Sequence, residues 1–268
     1  ENATGRFGER HGMRSLRHVP YQVLVPDSMV LPGERMPVPF SDFIKLEDGY
    51  YKTKISGTTL KLRKVDMKTT PLGRLRMDYK GPRKCRPVHL VMGEVSAFSG
   101  ALFDIAAEPK GVEVPAGKYQ IVTGMLKVGR GRRAQTATIA SGKAVTIDVL
   151  PGEEAVVEVG GPYTYDFEYK LGGSLVVNGS SVKIHGRGGE VYLDVWGGVP
   201  EPTVFVRRRG SSRGRAVGEL VRPENGKELD SYFRAKNQQD NRFGLLDAIF
   251  TPMDLRVRKP RGSIEVRL

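Results

Sequence analysis

Short segments in which apolar and polar residues alternate recur along most of the chain, and they constrain its fold more than any other feature. Leu60-Lys61-Leu62-Arg63-Lys64-Val65 alternates apolar and basic residues, and Tyr163-Thr164-Tyr165-Asp166-Phe167-Glu168-Tyr169 keeps its aromatic residues on one side. Successive side chains of a strand point to opposite faces, so a period of two predicts strands with one buried face. The 33 glycines and 17 prolines favour tight turns over long helices. The sequence therefore predicts an all-β protein.

Two segments carry the residue types of specific turns. Pro115-Ala116-Gly117 precedes the alternating segment Lys118-Tyr119-Gln120-Ile121-Val122, which indicates a type II turn in front of a strand. Asn178-Gly179 lies between Val176-Val177 and Ser180-Ser181-Val182, and Asn-Gly fits the two positive-φ positions of a type I′ turn. We therefore expect a chain reversal before Lys118 and a hairpin that turns at Asn178-Gly179.

The stretch from Val114 to Val122 resembles the Ig-like β-sandwich modules of the carboxypeptidase-regulatory and transthyretin-like kind, which occur in bacterial secreted and surface proteins. Those modules often carry a Pro-Ala-Gly-x-Tyr turn that leads into a late strand, and Pro115-Ala116-Gly117-Lys118-Tyr119 has this form. The resemblance covers about a third of the chain and lacks the immunoglobulin hallmark, since Trp196 has no pair of cysteines to pack on. It implies a non-catalytic accessory or spacer role and transfers no functional residues.

The domain organisation that we expect is two tandem Ig-like β-sandwich modules, over residues 40–161 and 162–268, behind an extended basic arm at residues 1–39. The arm is rich in arginine, glycine and proline, a composition that builds no core of its own. Its apolar residues, at Tyr21 to Val25 and Met29 to Leu31, are expected to pair along a sheet edge of another subunit, with an edge of the chain itself as the alternative. Self-assembly through the arm is therefore a predicted role.

A strong positive charge limits the classes of partner. Lysine and arginine number 43 against 30 aspartate and glutamate residues, which gives a formal net charge of +13. Such a charge permits a polyanionic partner, and it equally fits a basic surface that has no dedicated partner. Arginine binds phosphate, sulfate or carboxylate through two oxygens at once. The candidate polyanion-binding residues are Arg130, Arg132, Arg133, Arg207, Arg208, Arg209, Arg213 and Arg215. Charged strand ends that prevent edge-to-edge aggregation are the alternative explanation for these clusters.

No pattern in the sequence predicts a catalytic residue, a metal site or a cofactor. Gly129-Arg130-Gly131-Arg132-Arg133-Ala134 matches a dinucleotide-binding pattern, but the strand-like segment Gln135 to Ile139 follows where that site needs a helix. The four histidines are scattered, and Asp104 is expected to be a solvent-facing strand carboxylate. Cys85 is the only cysteine, so the chain has no internal disulfide. We therefore expect a protein that is not an enzyme.

These observations lead to two interpretations of function. The first is a non-catalytic protein with a structural, assembly or binding role, secreted or on the cell surface, with the periplasm also possible. Its basis is the module resemblance and the start at Glu1-Asn2-Ala3-Thr4 without methionine, which indicates a removed leader or a fragment. The alternative is binding of nucleic acid or acidic polysaccharide through the arginine-rich loops. No apolar run approaches the ~20 residues that a membrane-spanning helix needs, so no membrane span is expected.

Overall fold

The computed structural model describes residues 11–12, 24–25, 28–29, 38–39, 41–46, 48–56, 59–66, 68–82, 84–95, 101–129, 135–142, 146–193, 202–221, 254–258 and 263–268. All regular elements in these ranges are β-strands, so the all-β prediction is confirmed. Within the same ranges there is no helix of the length and apolarity needed to cross a membrane.

The first part of the chain contains the strands β1 (His11–Gly12), β2 (Leu24–Val25), β3 (Ser28–Met29), β4 (Val38–Pro39), β5 (Phe43–Leu46), β6 (Gly49–Ser56), β7 (Thr59–Lys64), β8 (Leu72–Lys80), β9 (Cys85–Glu94), β10 (Leu102–Asp104) and β11 (Val112–Pro115). The remainder contains β12 (Gly117–Val128), β13 (Gln135–Ala140), β14 (Ile147–Val149), β15 (Glu154–Gly160), β16 (Thr164–Leu171), β17 (Ser174–His185), β18 (Val191–Leu193), β19 (Thr203–Arg208), β20 (Gly214–Glu219), β21 (Leu255–Arg258) and β22 (Ile264–Arg267).

Proximity between residues divides the chain into two compact units. Unit 1 comprises Glu1–Ser15, Pro20–Tyr163 and His185–Tyr192, and unit 2 comprises Leu16–Val19, Thr164–Ile184 and Leu193–Leu268. In the arm, β1 pairs with β2 and β3 pairs with β4, both antiparallel. Most other arm residues lie outside the described ranges, so its pairing with a neighbouring subunit stays a prediction.

The body of unit 1 contains three sets of paired strands. The first has the order β10-β9-β12-β13, with β14 also paired to β12, and these four ladders are antiparallel. The second has the order β11-β8-β15, in which β15 runs parallel to β8. The third is the antiparallel meander β5-β6-β7. Parallel neighbours need a long connection, and the chain from β8 to β15 supplies it by passing through the strands of the first set.

The core of unit 1 lies where these strands bury their apolar faces, as the period of two requires. On β12, Tyr119 and Ile121 are buried whereas Lys118 is exposed. The fully buried side chains of the unit include Leu75, Leu90, Met92, Ile105, Val114, Tyr119, Ile139, Val149 and Val157. Removal of this apolar surface from water is the main stabilising contribution to such a core.

A row of aromatic rings attaches the β5-β6-β7 meander to this core. The ring centroid of Phe43 lies 5.5 Å from that of Tyr50 and 6.1 Å from that of Phe103, which in turn lies 6.3 Å from that of Tyr119. The Tyr50 hydroxyl donates to the Glu113 carbonyl at 3.0 Å. Burial raises the pKa of Tyr50 to about 12, so this hydroxyl keeps its proton at neutral pH. Tyr50 therefore holds the beginning of β6 against the core through its ring and its hydroxyl. Strand β7, in contrast, is exposed along its whole length.

The predicted break at Pro115-Ala116-Gly117 is confirmed, but its turn type is wrong. Strand β11 ends at Pro115 and β12 begins at Gly117. A type II turn needs a positive φ at its third residue, and Gly117 does not have one. The Tyr119 hydroxyl instead donates to the Pro115 carbonyl at 2.8 Å, and the Ala116 N–H donates to the Pro71 carbonyl at 2.8 Å. The chain bends at Ala116 without reversing onto itself, since β11 pairs with β8 and β12 pairs with β9, and these two hydrogen bonds hold the bend.

The predicted hairpin at Asn178-Gly179 is wrong, because both residues lie inside the single strand β17. The chain reverses instead at Gly172 and Gly173, where the Gly172 N–H donates to the Ser174 carbonyl at 3.0 Å. The Gly179 N–H donates to Asp254 Oδ1 at 3.0 Å. Strand β17 also pairs with β21, which comes about 75 residues later in the chain. Long-range pairing therefore outweighs the local turn preference of Asn-Gly.

Unit 2 contains two groups of strands that touch each other. One group has β17 paired with β16 and β21, and the other has the order β20-β19-β22. A Cβ atom added to Gly218 of β20 would lie 2.8 Å from a methyl carbon of Leu255 on β21. Glycine at position 218 thus allows β20 to approach β21 closely. On β19, Val204 and Val206 are buried, whereas Phe205 and Arg208 are exposed.

Candidate functional site

A short turn joins β19 to β20 in unit 2, and it places several arginines close together. Gly210 has a φ of +80°, a conformation that favours glycine. The Ser211 N–H donates to the Arg208 carbonyl at 3.0 Å, and the Arg213 N–H donates to Ser211 Oγ at 3.1 Å. The Arg209 N–H donates to the Ser263 carbonyl at 3.1 Å, which ties the turn to the segment before β22. The backbone of this turn is thus held by its own hydrogen bonds.

We use the name arginine turn for Arg208, Arg209, Arg213 and Arg215, which flank or belong to this connection. All of them are exposed. Among the described residues, no carboxylate forms a salt bridge with any of them. Exposed guanidinium groups without a carboxylate partner keep all their N–H donors available for an anion. The geometry therefore fits binding of oxygen anions such as phosphate, sulfate or carboxylate.

Arg207 differs from its neighbours, because its charge is compensated inside the protein. Its Nε and one terminal nitrogen lie 2.6 and 2.5 Å from Glu265 Oε2. Its side chain is only 25% exposed. The Arg207 guanidinium holds the pKa of Glu265 below its usual value, and the charges of Arg267 and Arg209 add to this effect. Arg207 thus links β19 to β22, and it is less available to a ligand than the arginine turn is.

The other predicted anion-binding residues, Arg130, Arg132 and Arg133, lie outside the described residues. In the sequence they fall between β12, which ends at Val128, and β13, which begins at Gln135. The start of β13 at Gln135 agrees with the strand that was expected to follow this loop, where a dinucleotide site needs a helix. Anion binding by these three arginines stays a prediction.

A buried carboxylate, which the sequence analysis missed, organises the loop between β17 and β18. Glu190 is 1% exposed, and it accepts hydrogen bonds from Gly160 N–H at 2.6 Å, Gly188 N–H at 3.1 Å and the Tyr192 hydroxyl at 2.6 Å. Burial and this hydrogen bond to Glu190 raise the pKa of Tyr192, so its hydroxyl remains a donor. A Cβ atom on Gly186 would overlap Glu190 Oε1, so glycine leaves the space that the carboxylate fills. The glycine-rich sequence Gly186-Arg187-Gly188-Gly189 is the signal from which this close packing could have been predicted.

Arg187 lies next to this carboxylate and connects its own loop to two strands, β8 and β15. It forms salt bridges with Asp78 of β8 at 2.6 Å and with Glu158 of β15 at 2.9 Å. It also donates to the carbonyls of Asp78 at 2.5 Å and Val159 at 3.3 Å. The hydrogen bond from Arg187 lowers the pKa of Asp78. The partners of Arg187 all belong to the fold itself, so we assign this cluster to stability rather than to ligand binding.

Asp104 is not the solvent-facing carboxylate that the strand pattern predicted. Its side chain is 10% exposed, and Oδ2 lies 2.6 Å from His89 Nδ1 on β9. Its Oδ1 accepts hydrogen bonds from Leu90 N–H and Ala106 N–H, both at 3.0 Å. The pattern failed here because β10 is short and its carboxylate is drawn to backbone donors across the ladder. The His89–Asp104 pair links β10 to β9. A histidine that is oriented by a carboxylate also needs a nucleophile beside it to form a catalytic triad, so the pair alone does not indicate catalysis.

Two further observations concern metal binding and relatedness. Among the described residues, no group of three or more His, Cys, Asp or Glu side chains is arranged to hold a metal ion. The chain matches no protein-family model, no curated protein and no solved structure. The arginine turn is therefore characterised by its own charge, exposure and hydrogen bonds.

Proposed function

We propose that the protein is a non-catalytic binding protein, secreted or surface-associated, and that the arginine turn binds a polyanion. The observation that carries the proposal is the group of exposed arginines on a hydrogen-bonded turn, with no carboxylate partner among the described residues. Nucleic acid and acidic polysaccharide are the two candidate ligands. Both present oxygen anions in series, which matches several guanidinium groups held near one another.

The architecture that we propose is two tandem Ig-like β-sandwich modules, over 40–161 and 162–268, with an extended basic arm at 1–39. Close approach of Gly218 to Leu255, on two strand groups of unit 2, supports a layered arrangement there. The Pro115-to-Tyr119 motif, with its Tyr119-to-Pro115 hydrogen bond, supports the resemblance to carboxypeptidase-regulatory and transthyretin-like modules. That resemblance is also the support for a location outside the cytoplasm, on the cell surface or in the periplasm. Self-assembly through the arm is part of the same proposal.

Charge arrangement supports a binding role for the arginine turn over a stabilising one. Neighbouring like charges repel, so four arginines that form no salt bridge with a described carboxylate do not stabilise the fold through their charge. Arg207, in the same segment, shows the alternative, since Glu265 compensates its charge. An anionic ligand supplies the missing counter-charge when it binds, and charge-assisted hydrogen bonds of this kind are the strong ones.

Substitution of all four residues of the arginine turn by glutamine tests the proposal. We expect at least a ~100-fold loss of affinity for heparin or duplex DNA at low salt, because several charge-assisted hydrogen bonds disappear together. Isothermal titration calorimetry on the full chain measures the loss. The control replaces four exposed cations elsewhere, Lys110, Lys118, Lys170 and Arg256, by glutamine, and thus lowers the net charge equally. Equal losses in the two variants would show that only the net charge matters, and the proposal would be wrong.

A further inference from the structure

The hairpin of β6 and β7 in unit 1 carries a second group of cations. In the antiparallel register Lys52 lies opposite Arg63, and Lys54 lies opposite Lys61. Opposite residues of a ladder, and residues two apart on a strand, share one face of the sheet. These four side chains therefore form a two-by-two group on one face, which we call the cation array. All four are exposed.

The cation array has no carboxylate partner in the part of the chain that the structure describes. There, no aspartate or glutamate forms a salt bridge with any of its four members. Lysines beside it on the same meander are paired, since Lys64 lies 2.9 Å from Asp48 and Lys45 lies 3.8 Å from Glu108. Like charges directly opposite each other in a ladder are destabilising. The array therefore opposes the stability of its own hairpin, which points to a role in binding.

The face that carries the array borders a groove. Phe43 lies opposite Lys52 in the β5–β6 ladder, so the two residues share a face of the meander. This face is buried at Phe43 on β5 and carries the cation array on β6 and β7. The groove has a volume of about 1030 Å³, and Lys52, Lys54 and Arg63 lie along it. Its carboxylates are Asp42, Asp66 and Glu94, and Asp66 Oδ1 accepts the Lys68 N–H within its own turn at 3.0 Å. Cations thus line the hairpin wall without pairing to the acids of the groove.

The spacing and the surroundings of the array indicate the class of ligand. Array cations two apart on a strand are about 6.8 Å apart along the backbone, and those across the ladder about 5 Å apart. This regular placement suits a linear polymer with repeated anionic groups. Sites for single-stranded nucleic acid add aromatic rings on which bases stack. The aromatic residues of the groove, Phe43 and Tyr119, are buried, so they offer no such platform.

We propose that the cation array and its groove bind an acidic polysaccharide through its sulfate or carboxylate groups. The site belongs to unit 1 and does not depend on the arginine turn, which belongs to unit 2. Binding places an anionic group near each Lys–Lys or Lys–Arg pair and removes the repulsion within the array. The ligand makes no base-specific interaction, because the lysines act as point charges and the rings that line the described groove are buried.

The test uses the full chain with all four arginines of the arginine turn replaced by glutamine, so that a failure of that site does not affect the result. In this background we compare Lys52→Gln/Lys54→Gln with the control Lys45→Gln/Lys118→Gln. The control removes two cations of unit 1 that are paired, with Glu108 and Asp148. The probes are heparin, polygalacturonate, and single-stranded and duplex DNA of equal charge. We expect at least a ~10-fold loss of heparin or polygalacturonate affinity in the array variant and less than ~2-fold in the control.

Thermal unfolding of the same variants checks that a structural role does not explain the loss. Because the array is repulsive, we expect the midpoint of the array variant to stay unchanged or to rise. A lower midpoint together with weaker binding would assign Lys52 and Lys54 to stability and overturn the proposal. Equal losses of affinity in the array and control variants would overturn it as well. Tighter binding of either DNA than of both polysaccharides would make nucleic acid the ligand and contradict the proposed class.

Discussion

Replacement of Glu190 by alanine is expected to lower the free energy of unfolding by about 3–5 kcal/mol. Glu190 is buried and accepts hydrogen bonds from Gly160 N–H, Gly188 N–H and the Tyr192 hydroxyl. Alanine leaves these donors without an acceptor inside the protein and opens a cavity among them. Urea denaturation followed by fluorescence measures the change, with the midpoint and the slope reported together.

Glu158 offers a matched control for this prediction. It belongs to the neighbouring ion pair with Arg187, but its side chain is 56% exposed. An exposed salt bridge contributes little, so Glu158→Ala is expected to cost less than about 1 kcal/mol. If Glu190→Ala cost no more than Glu158→Ala, the buried hydrogen-bond network would not be what supports this loop.

Replacement of Gly160 by alanine is expected to cost about 2–5 kcal/mol of stability. Gly160 has a φ of +95°, which side chains rarely adopt. Its added Cβ atom would also overlap the Lys80 carbonyl oxygen on the neighbouring strand β8, so the backbone must move. That movement disturbs the parallel β8–β15 ladder and the Gly160 hydrogen bond to Glu190. Thermal and urea unfolding of the variant measure the loss.

Gly152 separates the two causes of this effect. It has a φ of +75°, yet a Cβ atom there meets nothing within 4 Å. Gly152→Ala therefore carries only the backbone strain, about 1 kcal/mol. Similar losses at positions 152 and 160 would show that close packing against Lys80 contributes nothing, contrary to the structure.

Local patterns predicted the strands well, because strand formation depends on the alternation of neighbouring residues. The aromatic alternation that was expected from Tyr163 to Tyr169 became β16, and the alternating basic segment from Leu60 became β7. The buried face that the alternation predicted is wrong for both strands, because β7 is exposed along its whole length and β16 is exposed except at Phe167. The position of the arginines next to a turn was also visible in the sequence. What the pattern did not contain is the pairing of Arg207 with Glu265, which comes 58 residues later. An ion pair between residues that are far apart in the chain cannot be predicted from the residues next to either of them.

The missed features share a dependence on long-range interactions. Asn178-Gly179 has strong turn chemistry, but it lies inside β17, and the Gly179 N–H donates to Asp254, next to the residues of β21 that pair with Ser174 to Val177. Glu190 and Asp104 look like ordinary exposed acids in the sequence. Glu190 is buried and Asp104 is largely shielded from solvent, because backbone N–H groups of other strands need an acceptor. The sequence contains one part of the cation array, because the alternation along each segment indicates that Lys52 and Lys54 share a face of one strand and that Lys61 and Arg63 share a face of the next. Only the register showed that cations stand opposite cations.

The central claim, that the arginine turn binds a polyanion, is tested most directly by the salt dependence of binding. A protein that neutralises phosphates releases counterions, so the logarithm of its affinity for duplex DNA falls linearly with the logarithm of salt concentration. We expect a steep slope for the wild-type chain. Replacement of the four arginines by glutamine should make the slope shallower by roughly 0.9 for each phosphate that the variant no longer neutralises. A wild-type affinity that does not change with salt, or identical slopes for the two proteins, would contradict the account.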